Sequence, residues 1–215
     1  MSEENKKAIR ISVRNLVEFV LRSGDIDNRR SGNAQKDAML AGGRIHRKIQ
    51  KRMGSGYRAE VPLKHEVQDE EQKITLLVEG RADGIFTENG IPVIDEIKGM
   101  YTDVSRLEEP IEVHLAQAMC YGYFYCCDKD LDGIRLQMTY CNLETEEIKR
   151  FQTDRSREEL ETWFSGVVHE YFKWARYLYH HELIRDASIG HLEFPFPYRA
   201  GQRDLVVSVY RTVSR

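Results

Sequence analysis

The spacing of apolar residues along the chain predicts an alternation of helices and strands. Four helices are predicted: one after Ser12, one over about residues 34–53, one from Pro110 to about Cys127, and one beginning at Ser156. Five strands are predicted over about residues 58–67, 73–86, 91–98, 133–142 and 147–153. This order is typical of an α/β fold in which a mixed central β-sheet is flanked by helices.

The last of these helices opens with a capping box, Ser156 to Glu159. Its large apolar residues recur at helical spacing. We expect them in the core rather than as a platform on which bases stack: Trp163, Phe164, Val167, Tyr171, Trp174 and Leu178.

The pair Asn89–Gly90 predicts a β-hairpin with a two-residue type I′ turn. Counting outward from the turn fixes the register of the two strands: Glu88 opposite Ile91, Phe86 opposite Val93, Gly84 opposite Asp95, and Asp83 opposite Glu96. By alternation, Asp83, Glu96 and Lys98 share one face of the hairpin, and Asp95 points to the other.

Two carboxylates directly opposite each other destabilise a sheet. A divalent cation between Asp83 and Glu96 would remove the repulsion, and carboxylate oxygens suit Mg²⁺ or Mn²⁺. The alternative is a solvated, charged face of the hairpin. That alternative accounts for Glu96 and Lys98 but not for Ile85 and Ile94, which fall on the same face. The pattern therefore favours the wall of a cleft.

The order of short motifs adds a resemblance to a known family. Asp83 followed by Glu96-Ile97-Lys98 resembles the signature of the PD-(D/E)XK nuclease superfamily, with Ala82 in place of the usual proline. Two further motifs resemble the RecB-type branch of that superfamily: Gly42-Gly43-Arg44-Ile45-His46 upstream and Gln117-Ala-Met-Cys-Tyr121 downstream. The resemblance covers most of residues 10–180 and implies a restriction-endonuclease-like nuclease core.

The same resemblance implies metal-dependent hydrolysis of DNA phosphodiester bonds, by an exonuclease domain of a DNA repair or recombination nuclease–helicase. Asp83 and Glu96 would bind one or two Mg²⁺ or Mn²⁺ ions, with His46 and the backbone carbonyl of Ile97 as further ligands. Lys98 would position and activate the attacking water or stabilise the transition state. Asp83, Glu96 and Lys98 are therefore the expected catalytic residues.

A further group of residues is expected to contact or support the DNA substrate: Gln117, Tyr121, Arg44, Arg47, Lys48 and Arg81. The basic side chains near His46 suit phosphate contacts, which carry little sequence preference. Each of them is equally well explained as part of a solvated helix face. Gln117 and Tyr121 lie on one helical stripe with His114, which matches no motif and is interpreted as structural.

Composition sets outer limits on the function. The 215 residues carry a formal net charge of −3, which excludes a uniformly basic surface but allows a local basic groove. No membrane span or signal peptide is evident, so we expect a cytoplasmic protein. The four cysteines are expected as reduced thiols: Cys120, Cys126, Cys127 and Cys141. They do not flank the domain as the cysteines of cluster-bearing RecB-type nucleases do, so no iron–sulfur cluster is expected.

The chain changes character after Gly190, which predicts a nuclease domain over residues 1–190 and a separate segment over 191–215. Residues 196–202, Phe-Pro-Tyr-Arg-Ala-Gly-Gln, resemble the Q-motif that opens helicases of the XPD/DinG type. No glycine-rich phosphate loop follows. Either the segment begins a truncated helicase region, with that helicase as a partner in the same polypeptide, or it is a C-terminal cap.

Two other functions are compatible with the sequence. A nuclease-fold module could bind DNA for an attached helicase without cutting it, although the intact set of His46, Asp83, Glu96 and Lys98 argues against this. A sugar- or nucleotide-binding enzyme with a carboxylate pair has less support, because no phosphate loop or nucleophile motif accompanies the acids.

Overall fold

The computed structural model describes residues 7–22, 33–69, 73–193 and 195–213, with the side chains of all of these except 33–39. The strands are β1 (Lys7–Ser12), β2 (Arg58–Asp69), β3 (Ile74–Glu88), β4 (Ile91–Met100), β5 (Gly133–Asn142) and β6 (Ile148–Ser156). The helices are α1 (Val13–Val20), α2 (Asn33–Arg52), α3 (Glu112–Lys129), α4 (Arg157–Ile189) and α5 (Gln202–Val213). The fold is the expected mixed α/β arrangement.

Both helix starts that the sequence predicts from capping residues are present. The Ser12 hydroxyl accepts a hydrogen bond from the Asn15 N–H at 3.1 Å, at the start of α1. At the start of α4, the Ser156 N–H donates to the Glu159 carboxylate at 2.8 Å, and the Glu159 N–H donates to the Ser156 hydroxyl at 3.1 Å. Both caps satisfy N–H groups that the helix itself leaves without partners.

The hairpin register is the one that the Asn89–Gly90 turn predicts. Both turn residues have positive φ, 52° and 82°, as a type I′ turn requires. The recorded pairs run from Glu88 opposite Ile91 to Gly84 opposite Asp95. The ladder stops there. The next expected pair, Asp83 opposite Glu96, is not formed as a ladder pair.

The six strands form one mixed sheet in which β3 is the central element. The path through the sheet is β1-β3-β4-β5-β6, and β2 also pairs with β3. β1 and β5 run parallel to their neighbours β3 and β4, and the remaining pairs are antiparallel. Because a strand has only two edges and β2 occupies one of them, β1 and β4 share the other edge of β3 in succession.

Helices flank both faces of this sheet. On one face, Ile45 and Ile49 of α2 pack with Ile97 of β4 and Cys141 of β5. On the other face, α3 approaches so closely that a Cβ added at Gly122 would lie 2.8 Å from the side chain of Leu136. Because side chains alternate along a strand, the odd- and even-numbered positions of β5 serve these two separate layers.

The apolar stripe of α4 is buried only in part. Phe164 and Val167 are buried as expected, but Trp174 and Leu178 are 46% and 47% exposed. The expectation that all of this stripe lies in the core is therefore wrong for Trp174 and Leu178. Helical spacing shows which residues share a side of a helix but not how far along the helix the covering layer extends.

The chain divides into two compact units, Met1–Arg176 and Tyr177–Arg215. The second unit contains the end of α4 and the whole of α5, a helix that the sequence analysis did not predict. Every apolar residue of α5 is exposed among the described side chains. None of the helices in the described ranges is long and apolar enough to cross a membrane.

Candidate active site

Asp83 lies where the sheet is interrupted on both edges of β3. On one edge, the pairing with β1 ends at Glu79 and the pairing with β4 begins at Gly84, so residues 80–83 lie in a gap. On the other edge, Asp83 falls opposite Glu60, and this is the position missing from the β2–β3 ladder. Glu60 has a positive φ of 54°, which turns its backbone away from regular strand geometry. The backbone of Asp83 is thus free of strand pairing among the described residues.

Hydrogen bonds to other elements hold Asp83 in this gap. Its carboxylate accepts from the backbone N–H of Ile97 at 2.7 Å through Oδ2. Oδ1 lies 3.2 Å from Nδ1 of His46 on α2. The backbone carbonyl of Asp83 accepts from Nε2 of Gln50, also on α2, at 3.0 Å. Side chains therefore replace the ladder bonds that an unbroken sheet would supply, which corrects the expectation of a regular Asp83–Glu96 pair.

Glu96 and Lys98 form the charged centre of the site. Nζ of Lys98 donates to Oε1 of Glu96 at 2.8 Å and to Oε1 of Gln117 at 2.7 Å. The side chain of Glu96 is only 5% exposed, and that of Lys98 is 21% exposed. The second carboxylate oxygen of Glu96, Oε2, is buried and has no hydrogen-bond partner among the described residues. A buried carboxylate oxygen without a partner is costly, which makes this atom the most informative one in the site.

Burial and neighbouring charges shift the protonation of the two groups that flank Asp83. Burial raises the pKa of Glu96 to about 7, with the charge of Lys98 opposing the shift and that of Asp83 adding to it. For His46, burial lowers the pKa, but the hydrogen bond to Asp83 and the charges of Asp83 and Glu96 outweigh it, and the net pKa is raised. Burial is therefore the main reason why Glu96 holds its proton to a higher pH than an exposed glutamate.

The donor set at this site fits a hard divalent cation. Within the described ranges, no three His, Cys, Asp or Glu side chains surround a common point at metal-binding distance. The chemistry of the donors nevertheless suits Mg²⁺ or Mn²⁺, since carboxylate and carbonyl oxygens are the preferred ligands of these ions. The unpartnered Oε2 of Glu96 supplies the specific observation, because a cation is the partner that a buried anionic oxygen lacks. Asp83, Glu96, the Ile97 carbonyl and His46 are the residues that would hold it.

The basic residues of α2 point in different directions around the helix. Lys48 pairs with Glu146 of the β5–β6 turn, and Arg52 lies 3.9 Å from the same carboxylate. At about 100° per residue, both Lys48 and Arg44 lie on the opposite side of α2 from His46. Arg44 and Arg47 are exposed and form none of the recorded ion pairs in the described part of the chain. The predicted phosphate-binding group is therefore divided, with Lys48 neutralised away from the site.

Gln117 and Tyr121 of α3, expected to contact or support the substrate, are both buried beneath the site. Gln117 holds Lys98, as described above. Tyr121 fills the gap between β1 and β4: a Cβ added at Gly80 would lie 2.6 Å from its hydroxyl, which also hydrogen-bonds the backbone of Arg81. Arg81 is exposed, at the edge of the gap. Both α3 residues thus support the site from below.

Asp95 lies on the opposite face of β4 from Glu96, as the hairpin register predicts. Its carboxylate accepts hydrogen bonds from the Thr139 hydroxyl at 2.6 Å, the Tyr57 hydroxyl at 2.9 Å and the Gln137 amide at 3.0 Å. Burial raises the pKa of Asp95, against the effect of these three donors. Tyr57 reaches Asp95 by lying across Gly84, where a Cβ would lie 1.8 Å from the ring. This cluster holds β4 in place on the face opposite Glu96.

Three residues around Asp83 and Asp95 were not predicted from the sequence: Gln50, Glu60 and Tyr57. A signal existed for Gln50, because it follows His46 by four residues and so shares its side of α2. No local pattern indicates that Glu60 adopts a left-handed backbone conformation. Tyr57 follows a glycine-rich turn and carries no motif, so only the three-dimensional structure shows its contact with Asp95.

Comparisons with known proteins give similarity at the level of structure. No protein-family model matches the chain, and no curated protein matches it. A solved structure of SSO0001 is 17% identical, covers 79% of this chain and 78% of that one, and has a TM-score of 0.48. An alkaline exonuclease, LHK-Exo from Laribacter hongkongensis, is 13% identical and covers 81% of this chain and 93% of that one, with a TM-score of 0.42. The same exonuclease in complex with dAMP is 13% identical and covers 80% of this chain and 93% of that one, with a TM-score of 0.42. Because these TM-scores lie below 0.5, the function is inferred from the site's own geometry.

Proposed function

We propose that the protein is a metal-dependent deoxyribonuclease that hydrolyses DNA phosphodiester bonds. One observation carries the proposal: the Lys98 amine is held against Glu96, beside Asp83 in a gap of the sheet, and the other Glu96 oxygen is buried with no hydrogen-bond partner among the described residues. A buried ion pair that serves stability alone needs additional hydrogen bonds to its remaining lone pairs. A site that awaits a cation and a phosphate leaves one of them open.

The chemistry divides between the metal and the chain. A bound Mg²⁺ or Mn²⁺ supplies Lewis acidity toward the phosphate and lowers the pKa of water. Lys98 supplies a positive charge that can orient the attacking water or stabilise charge that develops on the phosphate. Gln117 holds the Lys98 amine from below, and the Ile97 N–H holds the Asp83 carboxylate. Because these groups are held in position before the reaction, little free energy is spent on rearranging them during it.

Exposed residues near the site are proposed to hold the DNA backbone. Arg47 on α2 and Arg81 on β3 are exposed and basic, so they suit contacts with phosphates. Such contacts carry no sequence information, and we therefore expect cleavage with little sequence preference. Arg44 lies one helical turn before Lys48 and therefore on the side of α2 opposite His46, so it is left out of this set. Lys48 is excluded from this set because Glu146 already neutralises it on the far side of α2.

The finer assignments rest on the sequence motifs. We propose that the domain is a RecB-type exonuclease that acts in DNA repair or recombination together with a helicase in the same polypeptide. The motif order from His46 to Tyr121 supports the first part. The Q-motif-like stretch that ends at Gln202 supports the second, and in the structure this glutamine accepts a hydrogen bond from the Arg199 N–H at 3.1 Å, where α5 begins.

The direct test is hydrolysis of end-labelled single- and double-stranded DNA with Mg²⁺, Mn²⁺ or EDTA. We expect cutting that requires the metal and that is lost in Glu96→Gln, and the product ladder would show whether it starts from an end. Metal-independent cutting, or cutting by Glu96→Gln at the wild-type rate, would contradict the proposal. Salt-sensitive DNA binding without cutting would support the alternative of a DNA-binding accessory module.

A further inference from the structure

The side chain of Gln50 occupies a position that a strand partner would normally fill. In an unbroken antiparallel ladder, Asp83 would face Glu60, because Ala59 faces Gly84 and Val61 faces Ala82. The left-handed conformation of Glu60 breaks this rung. Gln50 of α2 enters the break and donates its amide to the carbonyl of Asp83 at 3.0 Å.

The same amide group also contacts the residue that causes the break. Nε2 of Gln50 lies 3.2 Å from Oε1 of Glu60. Gln50 therefore joins three elements at one point: α2, β2 and β3. Backbone carbonyls in the interior are nearly always hydrogen-bonded, so without Gln50 the Asp83 carbonyl would need another partner or the local backbone would shift.

We propose that Gln50 is a positioning residue that fixes the position of the Asp83 carboxylate relative to Glu96. His46 and Gln50 lie one helical turn apart and approach Asp83 together, His46 at the carboxylate and Gln50 at the backbone. The carboxylate in turn accepts from the Ile97 N–H, which connects the Asp83 position to the strand that carries Glu96 and Lys98. The inference deepens the proposed function, since it rests on Asp83 being part of the cation site.

A matched set of variants separates this role from general stability. Gln50→Met keeps the length of the side chain and removes its hydrogen bonds. Gln50→Glu keeps its shape but replaces the amide donor with a carboxylate. Gln68→Met makes the first of these changes at an exposed position of β2 and serves as the control.

The first readout uses the metal-free protein and is amide hydrogen exchange followed by NMR. The Ile97 N–H depends on the Asp83 carboxylate as its acceptor, whereas Val93 on the same strand pairs across the regular ladder with Phe86. We expect Ile97 exchange to accelerate about ten-fold in both Gln50 variants, with Val93 unchanged. Unchanged Ile97 exchange would overturn the proposal. Equal acceleration at Ile97 and Val93 would also overturn it, because Gln50 would then act on general stability.

The second readout is Mn²⁺ binding by titration calorimetry. Loss of a residue that orients a ligand typically weakens metal binding by about 10- to 100-fold, and we expect both Gln50 variants to fall in that range while Gln68→Met binds as wild type does. Wild-type affinity in the Gln50 variants would overturn the proposal. If the wild-type protein cuts no DNA, the proposed function fails, and Ile97 exchange still decides the role of Gln50.

Discussion

The Lys98 amine lies 2.8 Å from Oε1 of Glu96, while Oε2 of the same carboxylate is buried without a partner in the described structure. One oxygen of the carboxylate is therefore neutralised and the other is available. A lysine held in this way partly offsets the cost of burying Glu96. In the proposed mechanism, its charge would also lie near the reacting phosphate.

Gln117 is expected to act on the rate of cleavage rather than on DNA binding. Its amide oxygen accepts from Lys98 at 2.7 Å, and the residue is buried beneath the site. Gln117→Leu should leave Lys98 less ordered and lower kcat by about 10-fold or more, with KM for DNA nearly unchanged. Gln117→Glu retains an acceptor and should lose less. A rise in KM at constant kcat would instead indicate that Gln117 contacts DNA.

The raised pKa of Glu96 predicts how stability depends on pH in the metal-free protein. Between an ordinary value of 4.5 and the folded value of about 7, the folded state holds the proton more tightly than the unfolded chain. The free energy of unfolding should therefore fall as the pH rises through this window, by about 3 kcal/mol at most. Urea unfolding in EDTA at pH 5 and pH 8 measures this loss.

The Glu96→Gln variant separates the contribution of Glu96, together with its coupling to His46, from that of titrating groups elsewhere in the protein. The difference in unfolding free energy between Glu96→Gln and wild type should be small at pH 5 and should favour the variant at pH 8. His114, whose pKa is lowered to about 4 chiefly by burial, works in the opposite direction, but its effect is common to both proteins and cancels. A difference that does not change with pH would show that Glu96 has an ordinary pKa.

Gly84 is predicted to be required for the contact between Tyr57 and Asp95. A Cβ at this position would lie 1.8 Å from the Tyr57 ring, so Gly84→Ala should displace the ring and cost about 1–3 kcal/mol of unfolding free energy. The same substitution in a Tyr57→Ala background should cost much less, because the clash is then absent. A double-mutant cycle by urea unfolding tests this. Additive effects would contradict the packing described here.

Asp95 and Glu96 are adjacent in sequence and should behave oppositely on substitution. Asp95→Asn removes a satisfied buried acceptor and should destabilise the fold by about 1–3 kcal/mol, while the face that carries Glu96 and Lys98 is left intact. Glu96→Gln should abolish cleavage without lowering stability at pH 8. Cleavage rates and urea midpoints measured on both variants distinguish the two roles. An exchange of these outcomes would place Asp95 at the reacting centre.

The hairpin illustrates what local sequence determines. The Asn89–Gly90 turn fixes the register, and the register assigns Asp95 and Glu96 to opposite faces, as their different hydrogen-bond partners confirm. That step needs only turn geometry and the two-residue period of a strand. Helix caps at Ser12 and Ser156 are local in the same sense and were equally predictable.

The interruption of the sheet at Asp83 could not be predicted in this way. It depends on the left-handed backbone of Glu60, on the succession of β1 and β4 along one edge of β3, and on Gln50 entering from α2. No local pattern indicates the first of these features, and the other two are contacts between segments that are distant in sequence. Counting residues along the hairpin therefore predicted a regular pair between Asp83 and Glu96, whereas the ladder ends one pair earlier, at Gly84 and Asp95.

The most direct test of the account is the single-turnover rate of DNA cleavage with Mn²⁺ for Lys98→Ala, beside Lys173→Ala as a control. Lys173 is an exposed lysine of α4 that pairs with Glu170, so Lys173→Ala makes the same chemical change away from the site. We predict that Lys98→Ala lowers the rate by at least about 100-fold while DNA binding persists, and that Lys173→Ala cleaves as wild type does. Cleavage by Lys98→Ala at the wild-type rate would contradict the assignment of the active site.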